Sequence, residues 1–541
     1  MNGNPESPQS PPRGAEGYDA VIIGAGINGL ATAGYLARGG LSVLVLERRE
    51  VVGGSAVTEE FAPGFRCDTC IHDVGWISSK LVHDLDLTKH GLALIADDRP
   101  VYAPNGQGDV LRFEASASAT SEGLRRFSPA DAARWPAFAE RIAHLAGFLQ
   151  SVYERSVPAI HAAGFGAALG LLGTGLQLRR LGKSAMVDLL RTVPMSVAEL
   201  LDDCFETDVL KGALASEGVR HLRQGPRSGG TAFMFLHHHV GRRPGTMHSA
   251  RIPVGGAGEL SRALADSARA SGAEIRTGAE VIRIQGRNEG ANGVVLASGE
   301  EIAARHVVSS ADPRRTLLHL YDPSLLAPEF VRALGHVRFN GVWAKVNLAV
   351  DTLPDFSGLN GEDMRRLGGF CVSPSVNYLE RAYDDAKYGR VSERPYLDVR
   401  IPSLANPGFA PDGKHVLSVH MQYAPYHMRE GAWDKAAREA LGDLVLASLA
   451  EFWPDIAGSV LHRQVLTPLD LESEYGLPEG HAYHGEMTLD QVLFMRPVPE
   501  CSDYHTPVRG LFLCGSGTHP GGGIVGGAGA NAAREILRYD S

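Results

Sequence analysis

Cysteine is scarce in this chain, which excludes a disulfide scaffold as the source of its stability. Only six cysteines occur among 541 residues, at scattered positions, whereas small disulfide-stabilised domains are dense in them. A reducing cytoplasm is the simpler setting, so we predict a cytoplasmic protein. Cys67 and Cys70 have C-x-x-C spacing but lack a thioredoxin-like context and zinc-site companions. We interpret them as ordinary thiols, with a redox-active pair as the alternative.

A net positive charge and recognisable targeting signals are also missing. The formal net charge is −10, which gives no support for a nucleic-acid partner, because such proteins carry basic patches. The first 17 residues contain Pro, Ser and Gly, one Arg and no apolar run. They are typical of a disordered tail, and neither a secretory signal nor a transit peptide is expected. No internal repeat is visible.

Glycine, by contrast, is abundant. The chain has 64 glycines in 541 residues, well above the usual share of about 7%. They cluster around residues 24–29, 255–258 and 510–529, whereas flexible linkers would spread glycine through polar tracts. The clustering therefore indicates ligand contacts made by backbone, in a chain long enough for roughly two to four domains.

The first cluster lies in a predicted βαβ unit, Tyr18 to Thr58. An apolar strand leads into Gly24, Gly26 and Gly29, and a helix and a second apolar strand follow. In such a G-x-G-x-x-G turn the first glycine permits a tight turn and the second lets the backbone approach a pyrophosphate. The third lets the helix pack closely on the strand. The unit is therefore predicted to bind a dinucleotide at the start of the helix.

Two features after the second strand favour FAD. Glu47 follows Gly29 by 18 residues, close to the spacing at which a carboxylate accepts hydrogen bonds from a ribose. Gly53 and Gly54 follow that acid, as in flavoproteins of the glutathione-reductase type. Residues 251–315 return to nucleotide-domain patterns, with a glycine turn, an amphipathic helix and four short strands. They lack a second G-x-G-x-x-G followed by an acid, so a separate NAD site is not expected.

The stretch between these segments leaves alternatives open. Apolar residues spaced three and four apart predict a helix over Ala130 to Arg155. Val157 to Leu178 has no charged residue and approaches the length of a membrane span, although its glycines argue otherwise. It is interpreted as a buried helix of the substrate domain, an apolar lid or tunnel wall, or an element that dips into a bilayer. Peripheral membrane contact is therefore one prediction.

Several histidines invite a catalytic or metal interpretation. His72 and Asp73 could act as acid or base near a flavin, or form a structural hydrogen bond. His237, His238 and His239 are expected on a strand, where only the first and third share a face. No cysteine or carboxylate follows at ligand spacing, so no metal site is predicted.

Two further stretches bear on the substrate and the cofactor. Residues 326–490 are expected to form an apolar, aromatic substrate chamber or, equally well, an aromatic core, with Trp343, Tyr378, Tyr383, Tyr396, Tyr423, Tyr426 and Trp433. The C-terminal stretch predicts a strand over Leu511 to Cys514, a glycine-rich loop, and a small-residue helix from about Val525. That helix start can direct its amides at a reduced flavin ring.

The chain resembles the phytoene-desaturase-like FAD oxidoreductases, and within them the branch called pyridine nucleotide-disulphide oxidoreductase domain-containing proteins. The resemblance rests on GAGINGLATAGYLARGG, VVGGSAVTEE, IPVGGAGELSRALADSARASGAEIRTGAEV, VVSSADPRRT, TPLDLESEYGLPEGHAYHGEMTLDQVLFMRP and LFLCGSGTHPGGGIVGGAGANAA. It implies FAD contacts at Gly24, Gly26, Gly29, Glu47, Arg48, Gly54, Val281, Gly517 and Ile524. Carotene desaturases usually have Arg where this chain has Ser55, which argues against a carotenoid substrate.

The resemblance also implies an α/β fold. We expect a glutathione-reductase-type FAD-binding Rossmann domain with an inserted, discontinuous α+β substrate domain. The expected boundaries are a disordered tail at 1–17, FAD-binding parts at 18–90, 246–325 and 501–541, and substrate-domain parts at 91–245 and 326–500.

The leading functional hypothesis is an FAD-dependent desaturase or dehydrogenase. It would transfer a hydride from a C–H bond of an apolar, carotenoid-like or other secondary metabolite to the flavin, with oxygen or a quinone as electron acceptor. His484, Glu486 and His519 are the candidate catalytic residues, because two lie in a family-specific stretch and the third adjoins the flavin loop. The alternatives are a redox-neutral polyene isomerase and a non-catalytic FAD-binding scaffold.

Overall fold

The computed structural model describes residues 17–157, 173, 175–176, 178–247, 251–287, 290–353 and 361–540. The N-terminal tail up to residue 16 and most of Val157 to Leu178 lie outside the described residues, so their predictions stay predictions. The described strands are β1 (Tyr18–Ile23), β2 (Val43–Leu46), β3 (Thr58–Ala62), β4 (Phe65–Asp68), β5 (Leu94–Ala96), β6 (Val101–Pro104), β7 (Val110–Phe113), β8 (Arg251–Pro253), β9 (Glu274–Arg276), β10 (Val281–Arg287), β11 (Gly290–Leu296), β12 (Glu301–Ser309), β13 (Trp343–Val350), β14 (Gly369–Val372), β15 (Tyr396–Arg400), β16 (His415–Gln422), β17 (Val460–Leu466) and β18 (Leu511–Leu513).

The described α-helices follow in the same chain order. They are α1 (Ile27–Arg38), α2 (Ser79–Asp84), α3 (Ala117–Leu124), α4 (Pro129–Tyr153), α5 (Lys183–Thr192), α6 (Val197–Asp202), α7 (Asp208–Val219), α8 (Thr231–His238), α9 (Ala257–Ala270), α10 (Pro328–Gly335), α11 (Gly361–Arg366), α12 (Val376–Lys387), α13 (Pro402–Ala405), α14 (Lys435–Ala450), α15 (Ile456–Ser459), α16 (Pro468–Tyr475) and α17 (Gly527–Asp540).

One sheet carries the predicted nucleotide-binding unit. Its parallel strands lie in the order β9-β2-β1-β12-β18, and β10 and β11 extend β12 as an antiparallel pair. β1 is the central strand, and its residues Ala20 to Ile23 are buried, as expected where helices cover both faces of a parallel sheet. The predicted α/β fold is therefore confirmed.

Three helices cover one face of this sheet and share one core. Leu30, Ala31 and Leu36 of α1 pack with Leu260 and Leu264 of α9, and with small residues of α17. Small side chains on α1 and α17 let the two helices approach closely, because no branched side chain separates their backbones. This close approach brings the starts of two helices that are distant in the chain to the same end of the sheet.

The second sheet belongs to the inserted part of the chain. Its order is β17-β13-β16-β15-β14-β6-β7, and only the β14–β6 pairing is parallel. α14 packs on it through Leu441, Val445 and Leu449, and a separate core gathers α4, α7, α8 and α12. The bounds of the six expected segments stay predictions. No helix among the described residues is long and apolar enough to cross a membrane.

The structure corrects one secondary-structure prediction. His237 and His238 end helix α8, and His239 is its C-cap, whereas the sequence predicted a strand. The preceding residues Thr231 to Leu236 are all buried, and a short apolar run does not distinguish a buried helix from a buried strand by periodicity. As a result, neighbours His237 and His238, and not the alternate pair, share a cavity.

Candidate active site

One cavity connects the nucleotide-binding turn to the inserted part of the chain. It encloses about 1940 Å³ of space free of protein atoms, a figure that includes its open mouth. Its outer end is lined by Gly24, Gly26, Glu47, Arg48, Gly54, Val281 and Ile524. Its inner end is lined by His72, Asp73, Trp76, Arg220, His221, His237, His238, Arg242, Trp343, Tyr483, His484, Gly522 and Gly523.

The first glycine turn has the geometry that a dinucleotide needs. Gly24 has φ +90°, a conformation that L side chains rarely adopt. A Cβ added to Gly29 would lie 2.1 Å from the Gly24 carbonyl oxygen, so only glycine lets α1 start this close to β1. A Cβ added to Gly26 would meet nothing within 4 Å, so the backbone there faces open space. Gly26 therefore lines the cavity, whereas Gly29 supports it from behind.

Glu47 is fixed beside that turn. Its Oε2 accepts a hydrogen bond from the Ala25 amide at 2.8 Å, and its Oε1 accepts one from the Arg49 amide at 3.0 Å. The side chain is buried and lines the cavity. Gly54 approaches so closely that an added Cβ would lie 3.3 Å from the Gly26 Cα. The acid and the glycine pair thus frame the open turn, as expected of a ribose site.

Arg48 connects this edge to the inserted part of the chain. Its Nη2 donates to the carbonyl oxygens of Ser473 at 3.1 Å and Glu474 at 3.0 Å, near the C-terminus of α16. Burial, with a contribution from Arg315, lowers the pKa of Arg48. At the same edge, the buried Val281 of β10 pairs with Leu296. Both predicted contacts therefore lie on the cavity wall.

A second helix start meets the first one. The Trp76 amide donates to the Gly523 carbonyl at 2.8 Å, and the Val525 amide donates to the Trp76 carbonyl at 3.0 Å. These bonds place Ile524 on the wall of the cavity, just before α17. Asn28, in the first turn of α1, donates through Nδ2 to Ser516 Oγ at 3.1 Å. Two helix starts from opposite ends of the chain thus open onto one cavity.

Gly517 supports this loop from outside the cavity. A Cβ added there would lie 2.7 Å from Pro313 Cδ and 3.1 Å from the His484 carbonyl oxygen. Like Gly29, it permits a close approach of two segments.

Two histidines of α8 are hydrogen-bonded at the inner end. His237 Nε2 lies 2.9 Å from the Gly522 carbonyl oxygen, and its Nδ1 lies 2.9 Å from the Tyr153 hydroxyl. A carbonyl oxygen can only accept a hydrogen bond, so Nε2 is the donor to Gly522. Nδ1 therefore accepts a hydrogen bond from the Tyr153 hydroxyl. Likewise His238 Nδ1 donates to a backbone carbonyl at 2.6 Å, and Nε2 accepts from the Tyr483 hydroxyl at 2.9 Å. Burial lowers the pKa of both rings, that of His237 to about 4, so they are neutral at pH 7.

A buried carboxylate stands behind these histidines. Glu217 lies 2.5 Å from Arg220 and 2.8 Å from Arg242. Burial by itself would raise the pKa of Glu217, but the two guanidinium groups outweigh burial and lower it to about 2. The carboxylate therefore stays charged, and both cations are held at the cavity wall.

Asp398 extends this ionic network to the other side of the chamber. Its Oδ2 lies 2.7 Å from Arg220, 3.3 Å from His72 Nε2 and 3.4 Å from Arg400. Burial opposes the charge on Asp398, yet Arg400, His72 and Arg220 lower its pKa well below the usual range. Burial lowers the pKa of His72 to about 4. His72 lines the cavity as well, and its role there stays a prediction.

The three candidate catalytic residues occupy different surroundings. His484 lines the cavity, and burial together with Arg496 lowers its pKa to about 4. Glu486 is buried away from the cavity, and its Oε2 lies 3.4 Å from Arg338. His519 is also buried, with its ring against Tyr153. The structure therefore brings His484 to the cavity and does not bring Glu486 or His519 to the described wall.

The predicted aromatic residues divide between the two alternatives, the chamber and the core. Trp343 lines the cavity, whereas Tyr396 and Tyr423 are fully buried in the core. The sequence analysis missed Tyr483, Arg220 and Arg242. Tyr483 adjoins the H-G-E stretch and could have been noticed there, but the arginines gave no local signal. No three His, Cys, Asp or Glu side chains are grouped to hold a metal ion within the described ranges.

These residues fit FAD, and comparisons with known proteins agree. The open turn at Gly26, the buried acid and the second helix start all border the same cavity. A model of the family "Flavin containing amine oxidoreductase" matches residues 27–537. The chain is 37% identical to "Pyridine nucleotide-disulfide oxidoreductase domain-containing protein 2" of Mus musculus, over 96% of this chain and 93% of that protein. The predicted branch is thereby confirmed.

More distant relatives agree in fold. The chain is 29% identical to one of the subunits of limonene dehydrogenase from Castellaniella defragrans, over 96% of this chain and 94% of that protein. Among solved structures it is similar to cyclohexylamine oxidase from Brevibacterium oxydans, with a TM-score of 0.59 and 18% identity over 97% and 99% of the two chains. This chain therefore belongs to the flavin-containing amine oxidoreductase family, and it is an oxidoreductase whose cofactor is FAD.

Proposed function

We propose that this protein is an FAD-dependent dehydrogenase or desaturase that removes a hydride from a carbon atom of an organic substrate. The observation that supports this best is the continuity of one cavity from Gly26 to a chamber at Tyr483. When bound, FAD supplies the hydride acceptor, and the protein orients the substrate C–H bond and excludes water.

The chamber wall supports a substrate with an apolar body and one polar group. Trp76 and Trp343 offer apolar area, whereas His238 and Tyr483 offer a hydrogen-bonded pair. Arg242, which is paired with Glu217, adds a guanidinium group at the same wall. The names of two relatives refer to limonene and to cyclohexylamine, both built on a six-membered ring. A small cyclic molecule is therefore the first substrate class to test, with a carotenoid-like polyene as the second.

The lost proton needs an acceptor of its own, and the chamber offers two groups. His484 is neutral at pH 7 because its pKa is about 4, so it accepts a hydrogen bond from the substrate but holds a proton poorly. Asp73 is the carboxylate at the inner end of the described wall. Its Oδ1 accepts a hydrogen bond from the Gly75 amide at 2.8 Å. We assign substrate orientation to His484 and proton acceptance to Asp73.

Anaerobic mixing of the yellow holoprotein with candidate substrates tests the proposal. We expect bleaching at about 450 nm, where oxidised flavin absorbs, with substituted cyclic hydrocarbons, alcohols, amines and polyenes compared side by side. Flavin that no candidate reduces, together with a stable protein partner, would favour the scaffold alternative. Conversion of a substrate to its isomer, with no net consumption of an electron acceptor, would favour the isomerase alternative.

Once a substrate is found, variants test the roles assigned to His484 and Asp73. We expect H484A and D73N to slow flavin reduction at least tenfold, since positioned proton-transfer groups contribute about 10²–10⁴-fold. The exposed His144 and Asp412 provide the matched controls H144A and D412N, which should leave the rate unchanged. E486Q is expected to change stability without slowing reduction, because Glu486 does not line the described cavity. Unchanged rates in both H484A and D73N contradict the assignment.

A further inference from the structure

Arg496 is buried in an unusual way for a charged side chain. It is 2% exposed and is among the largest fully buried side chains of the described structure. Its three nitrogens donate to backbone carbonyl oxygens only. The acceptors are Ser516 at 2.7 Å from Nη2 and 3.2 Å from Nε, Tyr483 at 2.5 Å, Gly485 at 3.2 Å, Glu486 at 3.0 Å and Gln491 at 3.2 Å.

Among the described residues, the positive charge of Arg496 has no matching carboxylate. None of the described carboxylates lies within ion-pair distance of it, and the nearby Glu486 carboxylate pairs with Arg338. A buried charge without a counter-ion is costly, and such groups concentrate at functional sites. The six hydrogen bonds to carbonyl dipoles offset part of this cost. The positive charge itself remains uncompensated.

The carbonyl acceptors belong to two segments that form the cavity wall. Tyr483 and His484 lie on the first segment and Ser516 on the second, and all three line the cavity. Arg496 is the side chain that joins the backbones of these segments. It thus sits directly behind the wall near the second helix start.

The positive charge of Arg496 also affects the pKa values of neighbouring histidines. Burial is the main cause of the lowered pKa of His237, His481, His484 and His519, and Arg496 lowers each of them further. These rings are neutral at pH 7, so they do not add to the charge and do not cancel it.

We propose that Arg496 is a positioning residue for the flavin, and that its uncompensated positive charge stabilises the negatively charged reduced form of the bound cofactor. The inference rests on the FAD cofactor and not on the substrate proposed above. It is therefore tested by photochemical reduction without any substrate, and the two proposals can fail separately.

The first measurement uses the unaltered holoprotein between about pH 5 and 6, below the range in which free reduced flavin loses its second proton. The ratio of reduced to oxidised protein is read against a reference dye of known potential. An anionic reduced flavin takes up one proton with two electrons, so the reduction equilibrium constant changes tenfold per pH unit. A neutral reduced flavin takes up two, and the change is a hundredfold. A hundredfold dependence overturns the proposal.

The second measurement separates charge from hydrogen bonding. R496K keeps the charge, R496Q removes it, and both lose the guanidinium fork. A unit charge on the order of 10 Å away, in a medium of effective dielectric about 20, shifts an equilibrium about tenfold. We expect R496Q to lower the reduced-to-oxidised ratio about tenfold relative to R496K at one pH. Equal ratios in the two variants show a merely structural role and overturn the proposal. If neither variant retains FAD, the pH dependence of the unaltered protein decides.

Discussion

Replacing Gly529 with alanine tests how closely the two helix starts must approach. Gly529 lies in α17, and a Cβ added there would stand 2.1 Å from the Asn28 carbonyl oxygen of α1. The Thr32 hydroxyl donates to the Gly529 carbonyl at the same crossing, at 3.2 Å. The two helices must therefore move apart to accept the methyl group, and the crevice that holds FAD must open.

The magnitude follows from two opposing terms. Alanine is favoured over glycine within a helix by about 1 kcal/mol, whereas overpacking a tight contact costs about 1–3 kcal/mol. Gly147 supplies the control, because it lies within α4, is exposed, and an added Cβ would meet nothing within 4 Å. The helix-propensity gain is common to G147A and G529A. The difference in their free energies of unfolding therefore isolates the overpacking cost, about 1–3 kcal/mol.

The assay combines urea unfolding with retention of FAD after dialysis. We expect G147A to be at least as stable as the unaltered protein and fully yellow, and G529A to be less stable and to lose flavin. If G529A matches G147A in both stability and flavin content, the close crossing of the two helices is not what shapes the site, and the reasoning is refuted.

Two further predictions concern the carboxylates of the site. E47A should weaken FAD binding at least tenfold, because hydrogen bonds to a charged group contribute about 1.5–3 kcal/mol. The matched control is E50A at the exposed Glu50, which should leave FAD binding unchanged. Glu217 has its pKa lowered from 4.5 to about 2, so its contribution is present above pH 4.5 and is lost as pH falls toward 2, a few kcal/mol in all. We therefore expect E217Q to be less stable than the unaltered protein at pH 7 but to lose less stability between pH 5 and 2, as measured by acid unfolding followed by circular dichroism. If the two proteins lose the same stability over this range, the reasoning is contradicted.

Local features of the chain could be predicted because their chemistry is local. The turn Gly24–Gly29 and the acid Glu47 follow each other at a fixed spacing along one βαβ unit, so backbone geometry alone brings them together. The same holds for the glycine-rich loop before α17. From these elements the cofactor, the fold and the family could be predicted, and the comparisons confirm all three.

The histidines illustrate where local reasoning stops. The run at His237 was assigned to a strand, because an apolar stretch of that length suits a buried strand or a buried helix equally. Only the packing of α8 among α4 and α7 decides for the helix. That choice changes which two side chains reach the cavity, because neighbouring side chains diverge by about 100° on a helix but point to opposite faces of a strand.

By itself the sequence determined the nucleotide-binding turn, the acid that follows it and the second helix start, because each depends on residues close together in the chain. Only the tertiary structure decided the inner chamber. Arg220 meets Asp398 across 178 positions of the chain, and Arg496 finds its acceptors on two separate loops. Such contacts depend on how the sheets and helices pack, and packing is set by the whole core and not by spacing along the chain.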